Sequence, residues 1–159
     1  MRSYVVDCRT ERETRQLGAR VAAALETGLT IALNGQLGSG KTCLVRAICC
    51  ELGVEEDAVN SPTFVLMQAY SGERMDVFHF DTYRLADVDE FLAIGAEDYL
   101  LDSKAVCLVE WAERVRDVLP ADHLALDITQ VSATARRVQC VASGPVSAAV
   151  LERVAAGIS

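Results

Sequence analysis

The sequence predicts an α/β fold in which helices cover both faces of a mixed central sheet. Three observations carry this prediction. Apolar runs typical of strands alternate with segments of helical periodicity. A glycine-rich loop, Gly35–Thr42, stands between a predicted strand and a predicted helix. Two later strands joined by a short turn predict a hairpin, which makes the sheet mixed rather than purely parallel.

The first half of the chain alternates strands with helices. Thr10 precedes Glu13 by three residues, the spacing of a capping box, and apolar residues at helical spacing follow to about Glu26. A second helix leaves the glycine loop, and Gly53 suits its carboxyl-terminal cap. The predicted elements are a strand at 3–7, a helix at 10–26, a strand at 30–34 and a helix at 41–52.

The second half of the chain is dominated by strands. Residues 63–70 and 75–80 predict the two strands of the hairpin, while 84–97 has only weak helical periodicity. Val106–Val109 is a continuous apolar run, typical of a strand covered on both faces. Two late strands at 124–129 and 137–141 and a closing helix at 146–156 complete the prediction.

Length, composition and charge restrict the class of protein. The 159 residues, 51% hydrophobic and 24% charged, predict one globular domain spanning 1–159. The net charge of −8 argues against a broad face that binds a nucleic-acid backbone. No segment resembles a signal peptide or a membrane span, so we expect a cytoplasmic protein with no membrane partner. The six cysteines form no C-x-x-C pair, which favours buried, reduced thiols over a metal site.

The glycine-rich loop matches the P-loop pattern G-x4-G-K-T at every fixed position. Glycines let successive backbone N–H groups point at phosphate oxygens, and the following helix adds its positive end. Lys41 can reach the β- and γ-phosphates, and the Thr42 hydroxyl can ligate Mg²⁺. The fold prediction therefore becomes a P-loop NTPase-like three-layer sandwich. The predicted nucleotide-binding residues of the loop are Leu37, Gly38, Ser39, Gly40, Lys41 and Thr42.

Phosphate chemistry also requires a carboxylate near the metal, usually at the end of a neighbouring strand. Asp81 ends one predicted strand and Glu110 ends another, the better buried of the two. Either could equally be a turn residue or a helix cap. The pattern therefore predicts a carboxylate site but leaves open which residue contacts the metal.

Three further features have two interpretations each. The hydroxyls of Ser61-Pro62-Thr63 could reach the γ-phosphate or Mg²⁺, although the spacing favours a plain junction between loop and strand. His79 lies between two phenylalanines, which favours a structural histidine over a metal ligand. Trp111 is either core packing or part of a contact surface.

Four motifs in this order resemble the bacterial TsaE family, formerly called YjeE, over residues 10 to about 141. They are Gly35–Thr42, Ser61–Phe64, His79–Leu85 and Val109–Trp111. The resemblance implies an ATPase of tRNA threonylcarbamoyladenosine (t6A) biosynthesis. In that family it assists the TsaB–TsaD pair, which transfers a threonylcarbamoyl group to adenosine 37 of tRNA. Contact with the tRNA itself is then expected to be indirect.

The resemblance also implies roles for individual residues. Thr42 and Glu110 would hold Mg²⁺, and Asp81 would orient water or contact ATP. Thr63 would act from a switch-like loop formed by Ser61–Phe64. Glu11 would lie near the nucleotide, as would the loop at 133–137, in which no single residue is identified.

Two other classes of function remain open from the sequence. A small-molecule kinase would carry the same P-loop, although it needs an acceptor pocket and mobile arginines over the phosphates. A binding module would use ATP only as a conformational ligand. Labelled ATP separates the three, because they predict phosphate release, transfer to a metabolite, or neither.

Overall fold

The structure, a computed structural model, describes residues 2–36, 38–59 and 66–158. The strands described are β1 (Arg2–Cys8), β2 (Thr30–Gly35), β3 (Met67–Tyr70), β4 (Asp76–Asp81), β5 (Ala105–Glu110), β6 (His123–Gln130) and β7 (Arg136–Ala142). These seven strands form one sheet in the order β1-β7-β6-β2-β5-β4-β3. Within it, β2 is parallel to β5 and β6, and β4 is parallel to β5. The remaining pairs are antiparallel, so the mixed sheet is confirmed, with antiparallel strands at both edges.

Helices lie on both faces of this sheet, which confirms the three-layer sandwich. Side chains alternate along β5, where Val106 and Leu108 join one core and Cys107 and Val109 join the other. The helices are α1 (Glu11–Ala23), α2 (Lys41–Glu51), α3 (Val88–Ala93), α4 (Ala96–Leu100) and α5 (Pro145–Ile158), with a 3-10 helix at Glu56–Ala58 and another, kinked at Val115, at Ala112–Val118. The first core includes α1, α2 and α5, and the second includes α3 and α4.

The start of α1 follows the sequence prediction, and its end does not. The Thr10 hydroxyl accepts a 3.1 Å hydrogen bond from the Glu13 N–H, and the Glu13 carboxylate accepts one from the Thr10 N–H. The helix ends at Ala23 instead of Glu26. Arg74 donates to the carbonyl of Ala22 in the last turn of the helix and to the carbonyl of Leu25, two residues beyond its end.

Other sequence predictions differ from the structure or fall outside the described residues. The weak periodicity at 84–97 corresponds to two short helices, α3 and α4, separated by Gly95 with a φ of +79°. The 3-10 helix Ala112–Val118 was not predicted. The first hairpin strand is described from Met67, and positions 63–65 of the predicted strand lie outside the described residues. All six cysteines are free, but Cys43 is partly exposed and Cys50 is exposed, so burial holds only for the other four.

The parallel strands fix where a site can form. The carboxyl ends of β2, β4 and β5 point the same way, and the glycine loop follows β2 directly. Ligands of open α/β sheets bind outside the carboxyl ends of such strands. None of the helices described is long and apolar enough to cross a membrane.

Candidate functional site

The loop after β2 has a backbone that side chains would obstruct. A Cβ atom on Gly35 would lie 2.7 Å from both the Ile128 carbonyl oxygen and the Ser39 hydroxyl oxygen. Gly40 has a φ of +110° and is the N-cap of α2, where it offers no side-chain hydrogen bond to the helix. The first N–H groups of an eleven-residue helix are therefore directed toward the loop without a side-chain cap. This arrangement suits an anion at the start of α2.

The hydroxyl of Ser39 supports a polar ligand at the same place. Its oxygen is buried and makes no hydrogen bond to any part of the chain that the structure describes. A buried hydroxyl without a partner costs about 1–3 kcal/mol, so such groups normally have one. A phosphate oxygen in the loop would supply the missing acceptor.

Lys41 is buried at the first position of α2, with its ammonium group turned back onto the loop. Its Nζ donates to the carbonyls of Gly35 at 2.5 Å and Gln36 at 3.0 Å. The same nitrogen lies 3.9 Å from the centroid of the Trp111 ring, a cation–π contact. The positive charge is thus fixed beside the glycine loop by three separate contacts.

Burial and the neighbouring carboxylates act in opposite directions on the pKa of Lys41. Burial lowers the pKa of Lys41 from its ordinary value, and the carboxylates of Glu110, Glu113 and Asp81 oppose that shift. Burial likewise raises the pKa of Asp81, with Glu110 adding to the shift and the Tyr83 N–H opposing it. The site therefore combines one partly desolvated ammonium with several carboxylates.

Both carboxylates predicted from the sequence lie at this edge of the sheet. Asp81 and Glu110 end the parallel strands β4 and β5 and are direct register partners. Glu110 also pairs with Leu33 of β2, two residues before Gly35, and only 3% of its surface is exposed. Asp81 is partly exposed, and its Oδ1 accepts a 2.9 Å hydrogen bond from the Tyr83 N–H. The two acids are adjacent but differ in burial.

These residues fit a Mg²⁺ ion that is shared with a nucleotide. Within residues 2–36, 38–59 and 66–158, no group of three or more His, Cys, Asp or Glu side chains could hold a metal alone. Mg²⁺ does not require such a group, because one or two protein oxygens together with phosphates and waters complete its coordination. Thr42 in the first turn of α2 and Glu110 at the end of β5 offer oxygens of the required kind.

A cavity of about 230 Å³ opens beside Gly40, on the side of the loop away from the carboxylates. Its walls come from the start of α1, from α2 and from the loop before β7. Glu11 and residues of the segment 133–137, which the family resemblance implies lie near the nucleotide, are thereby brought together beside Gly40. The lining residues are Glu11, Thr14, Gly40, Cys43, Ala133, Thr134 and Arg136.

Arg136 is a site residue that the sequence analysis did not identify. Its Nε donates to the Ser39 carbonyl at 2.5 Å, and its other nitrogens reach Gly38 and the Ser132 and Ala135 carbonyls. The Arg136 side chain therefore links carbonyl groups of the P-loop to carbonyl groups of the turn before β7. The only local signal is an arginine at the start of a strand, which is too common to be informative.

We expect Arg136→Ala to weaken ATP binding on the order of tenfold, because several hydrogen bonds from one cation restrain the loop carbonyls. Isothermal calorimetry with ATP and Mg²⁺ measures the change. Arg137→Ala is the matched control, since the contact that Arg137 makes among the described residues is an exposed ion pair with Asp7. Equal ATP affinity in both variants would show that Arg136 does not support the loop.

The structure shows the surroundings of His79 and Trp111, which have two interpretations each from the sequence. His79 is fully buried, and its Nε2 lies 2.6 Å from Glu110 Oε2, so it contacts the site without facing solvent. Trp111 is partly exposed, has a φ of +59°, and its ring packs against that of Tyr83 with a centroid distance of 4.8 Å and a tilt of 44°. The ring contacts both Lys41 and Tyr83 and belongs to neither core. The Arg114 guanidinium lies 5.4 Å from the centroid of the Tyr83 ring.

Several predicted site residues lie outside the part of the chain that the structure describes. They are Leu37 of the P-loop and Ser61–Phe64, including Thr63, of the switch-like loop. Their roles stay predictions.

Comparison with known proteins shows which family this chain resembles. The family model described as "Threonylcarbamoyl adenosine biosynthesis protein TsaE" matches residues 8–138. The tRNA threonylcarbamoyladenosine biosynthesis protein TsaE of Treponema pallidum is 40% identical over 112 residues, 70% of this chain and 81% of that protein. The protein of the same name from Bacillus subtilis is 33% identical over 132 residues, 83% of this chain and 81% of that protein.

A solved structure shows the same fold. The crystal structure of Bacillus subtilis YdiB superposes with a TM-score of 0.76, covering 99% of this chain and 97% of that chain at 24% identity. The region matched by the family model contains the glycine loop, both strand-end carboxylates and Arg136.

Proposed function

The chain belongs to the TsaE family of threonylcarbamoyladenosine biosynthesis proteins, and we propose that it is a Mg²⁺-dependent ATP-binding protein and slow ATPase. It would assist threonylcarbamoyl transfer to adenosine 37 of tRNA through a partner protein complex. The observation that carries the proposal is the P-loop on β2, with Lys41 directed at it and with Asp81 and Glu110 on the adjacent strands.

In this proposal the P-loop holds the phosphates of ATP. Backbone N–H groups of Gly38, Gly40 and Lys41 and the Ser39 hydroxyl, which has no partner among the described residues, would be the donors for phosphate oxygens. The Lys41 ammonium exchanges its loop carbonyls for the β- and γ-phosphates, a contact that is stronger because both groups are charged. The cavity beside Gly40, with Glu11 on its wall, would receive the nucleoside.

Glu110 and Asp81 would have different roles in this proposal. Thr42 and Glu110 would hold Mg²⁺, which when bound neutralises charge on the transferring phosphoryl group. Asp81, more exposed and not bonded to His79, is the better placed acid for orienting the attacking water. Thr63 would act with Asp81 from the switch-like loop, as the family resemblance implies.

The partner would be a threonylcarbamoyl-transferase complex like the TsaB–TsaD pair. The net charge of −8 favours a protein partner over direct contact with tRNA. ATP binding and hydrolysis would change the conformation of this accessory protein, while the transfer chemistry belongs to the complex. Lys41 contacts the Trp111 ring, which packs against Tyr83, and Arg114 lies over the Tyr83 ring. This row of side chains extends from Lys41 to the surface next to the phosphate site.

Incubation with γ-labelled ATP and Mg²⁺ tests the proposal directly. An ATPase releases labelled phosphate, and the release must disappear in Lys41→Ala. Label transferred to metabolites of a bacterial extract would favour a small-molecule kinase instead. Binding without release or transfer, with the partner complex present, would reduce the protein to an ATP-binding module.

The two carboxylates are expected to respond differently to neutralisation. Glu110→Gln should raise the Mg²⁺ concentration required for tight ATP binding about tenfold or more, since a neutral amide is a poorer ligand for a hard cation. Asp81→Asn should reduce hydrolysis with a smaller effect on the Mg²⁺ requirement. Titrating Mg²⁺ against both variants checks the assignment, and the opposite pattern would reverse the two roles.

A further inference from the structure

A row of hydrogen-bonded side chains crosses three strands beneath the candidate metal site. Glu110 Oε2 lies 2.6 Å from His79 Nε2, and His79 Nδ1 lies 3.2 Å from the Tyr70 hydroxyl. That hydroxyl lies 2.6 Å from Gln68 Oε1. The first three members are nearly inaccessible, with exposures of 3%, 0% and 7% in the order Glu110, His79 and Tyr70.

The sheet register sets up this row. Gln68 of β3 pairs with His79 of β4, and β4 is parallel to β5, which carries Glu110 at its end. Residues two apart share a face of a strand, so Val77 and His79 point to the same side as Leu108 and Glu110. That side carries α2, the helix that begins at the P-loop. The imidazole therefore reaches the Glu110 carboxylate from the neighbouring strand β4, on the face of the sheet covered by α2.

The row constrains the Glu110 side chain at one of its two oxygens. Oε2 is held by the buried imidazole, while the Glu110 carbonyl accepts hydrogen bonds from both the N–H and the hydroxyl of Thr82. With the backbone and one carboxylate oxygen fixed, rotation of the carboxylate is restricted. The other oxygen can then keep a constant direction relative to Thr42 and the P-loop.

We propose that His79 is a positioning residue that holds the Glu110 carboxylate in the orientation required to bind Mg²⁺, with Tyr70 fixing the imidazole ring in turn. The proposal rests on the function proposed above, because it assumes that Glu110 is a metal ligand. Hydrogen-bonded supports of this kind are worth roughly 10- to 100-fold in metal affinity. A histidine with a purely structural role would need only some partner for each nitrogen, with no effect on the metal.

Two amide substitutions separate these roles, because each imitates one nitrogen of the ring. The amide nitrogen of glutamine reaches about as far along the side chain as Nε2, which contacts Glu110. The amide of asparagine reaches only as far as Nδ1, which contacts Tyr70. His79→Gln therefore retains a hydrogen-bond donor for Glu110. His79→Asn removes that donor but still leaves an amide group at this position.

The experiment measures Mn²⁺ binding to the full chain with saturating ADP, using the electron paramagnetic resonance signal of free Mn²⁺. We expect His79→Asn to weaken Mn²⁺ binding roughly 10- to 100-fold and His79→Gln to restore most of the affinity. Affinity for ADP without metal should be the same in all three proteins, and thermal unfolding checks that each is folded. Tyr70→Phe should lose Mn²⁺ affinity in the same direction but by less, and it provides the test if His79→Asn does not fold.

The outcomes distinguish this inference from the function on which it rests. Unchanged Mn²⁺ affinity in His79→Asn and Tyr70→Phe, or equal losses in His79→Asn and His79→Gln, would overturn the positioning role alone. A wild-type chain that binds neither ADP nor Mn²⁺ with ADP would overturn the proposed function, and this inference with it.

Discussion

Lys41→Ala is expected to lower the affinity for ATP on the order of a hundredfold or more while the chain remains folded. The Lys41 ammonium is fixed at the glycine loop by two carbonyls and the Trp111 ring, and charge-assisted hydrogen bonds to phosphate are among the strong ones. The side chain contributes to neither hydrophobic core, so the free energy of unfolding should change little. Calorimetric titration with ATP and Mg²⁺ measures the loss, and thermal unfolding verifies the fold.

The sequence contains an unusually good control for this experiment. Lys104 is the other of the two lysines in the chain, and it is exposed before β5, remote from the loop after β2. Lys104→Ala removes the same charge without touching the site and should bind ATP like the wild type. ATP binding that survives Lys41→Ala unchanged, or that falls equally in both variants, would count decisively against the P-loop site.

The second large effect concerns the partner complex. We expect the isolated chain to release phosphate from ATP slowly and the threonylcarbamoyl-transferase complex to accelerate it clearly. Hydrolysis depends on positioned water and on positive charge facing the transition state. Arg136, the arginine bound to the P-loop, is occupied with backbone carbonyls behind the loop, and Arg114 stacks on Tyr83. An arginine supplied in trans can add about 10³–10⁵ in rate.

Phosphate release is measured with the chain alone, with the complex alone and with both. The same mixture containing Lys41→Ala is the control, because any hydrolysis that persists there belongs to the complex. Fluorescence of Trp111, the sole tryptophan, follows nucleotide binding in the same samples, since its ring contacts the Lys41 ammonium. Brisk hydrolysis by the isolated chain, unaffected by the complex, would contradict the accessory role.

The parts of the site that could be predicted from sequence are those encoded by short spacings. The glycine loop is a contiguous pattern, and Asp81 and Glu110 stand directly after apolar runs that form strands. Fold class followed from the same local signals. The capping box at Thr10 is also local, and both of its hydrogen bonds form.

The features that escaped prediction depend on pairing between distant segments. The bond between His79 and Glu110 requires the parallel register of β4 and β5, which no pattern within either strand specifies. Arg136 reaches Ser39 across 97 positions of the chain. The contacts of Arg74 in the hairpin turn with the carbonyls of Ala22 and Leu25, at and just beyond the end of α1, likewise join segments far apart in the sequence.

The pairing of the edge strand β1 affects the order in which the chain folds. In the described sheet β1 is hydrogen-bonded to β7 alone, with Arg2 opposite Ala142, so β1 pairs with the last of the seven described strands in chain order. Such a pairing has a high contact order, and its loop-closure entropy must be overcome before the contact contributes stability. During synthesis, β1 has to wait unpaired until β7 has left the ribosome. The parallel core around the P-loop can then assemble before the sheet is closed at this edge.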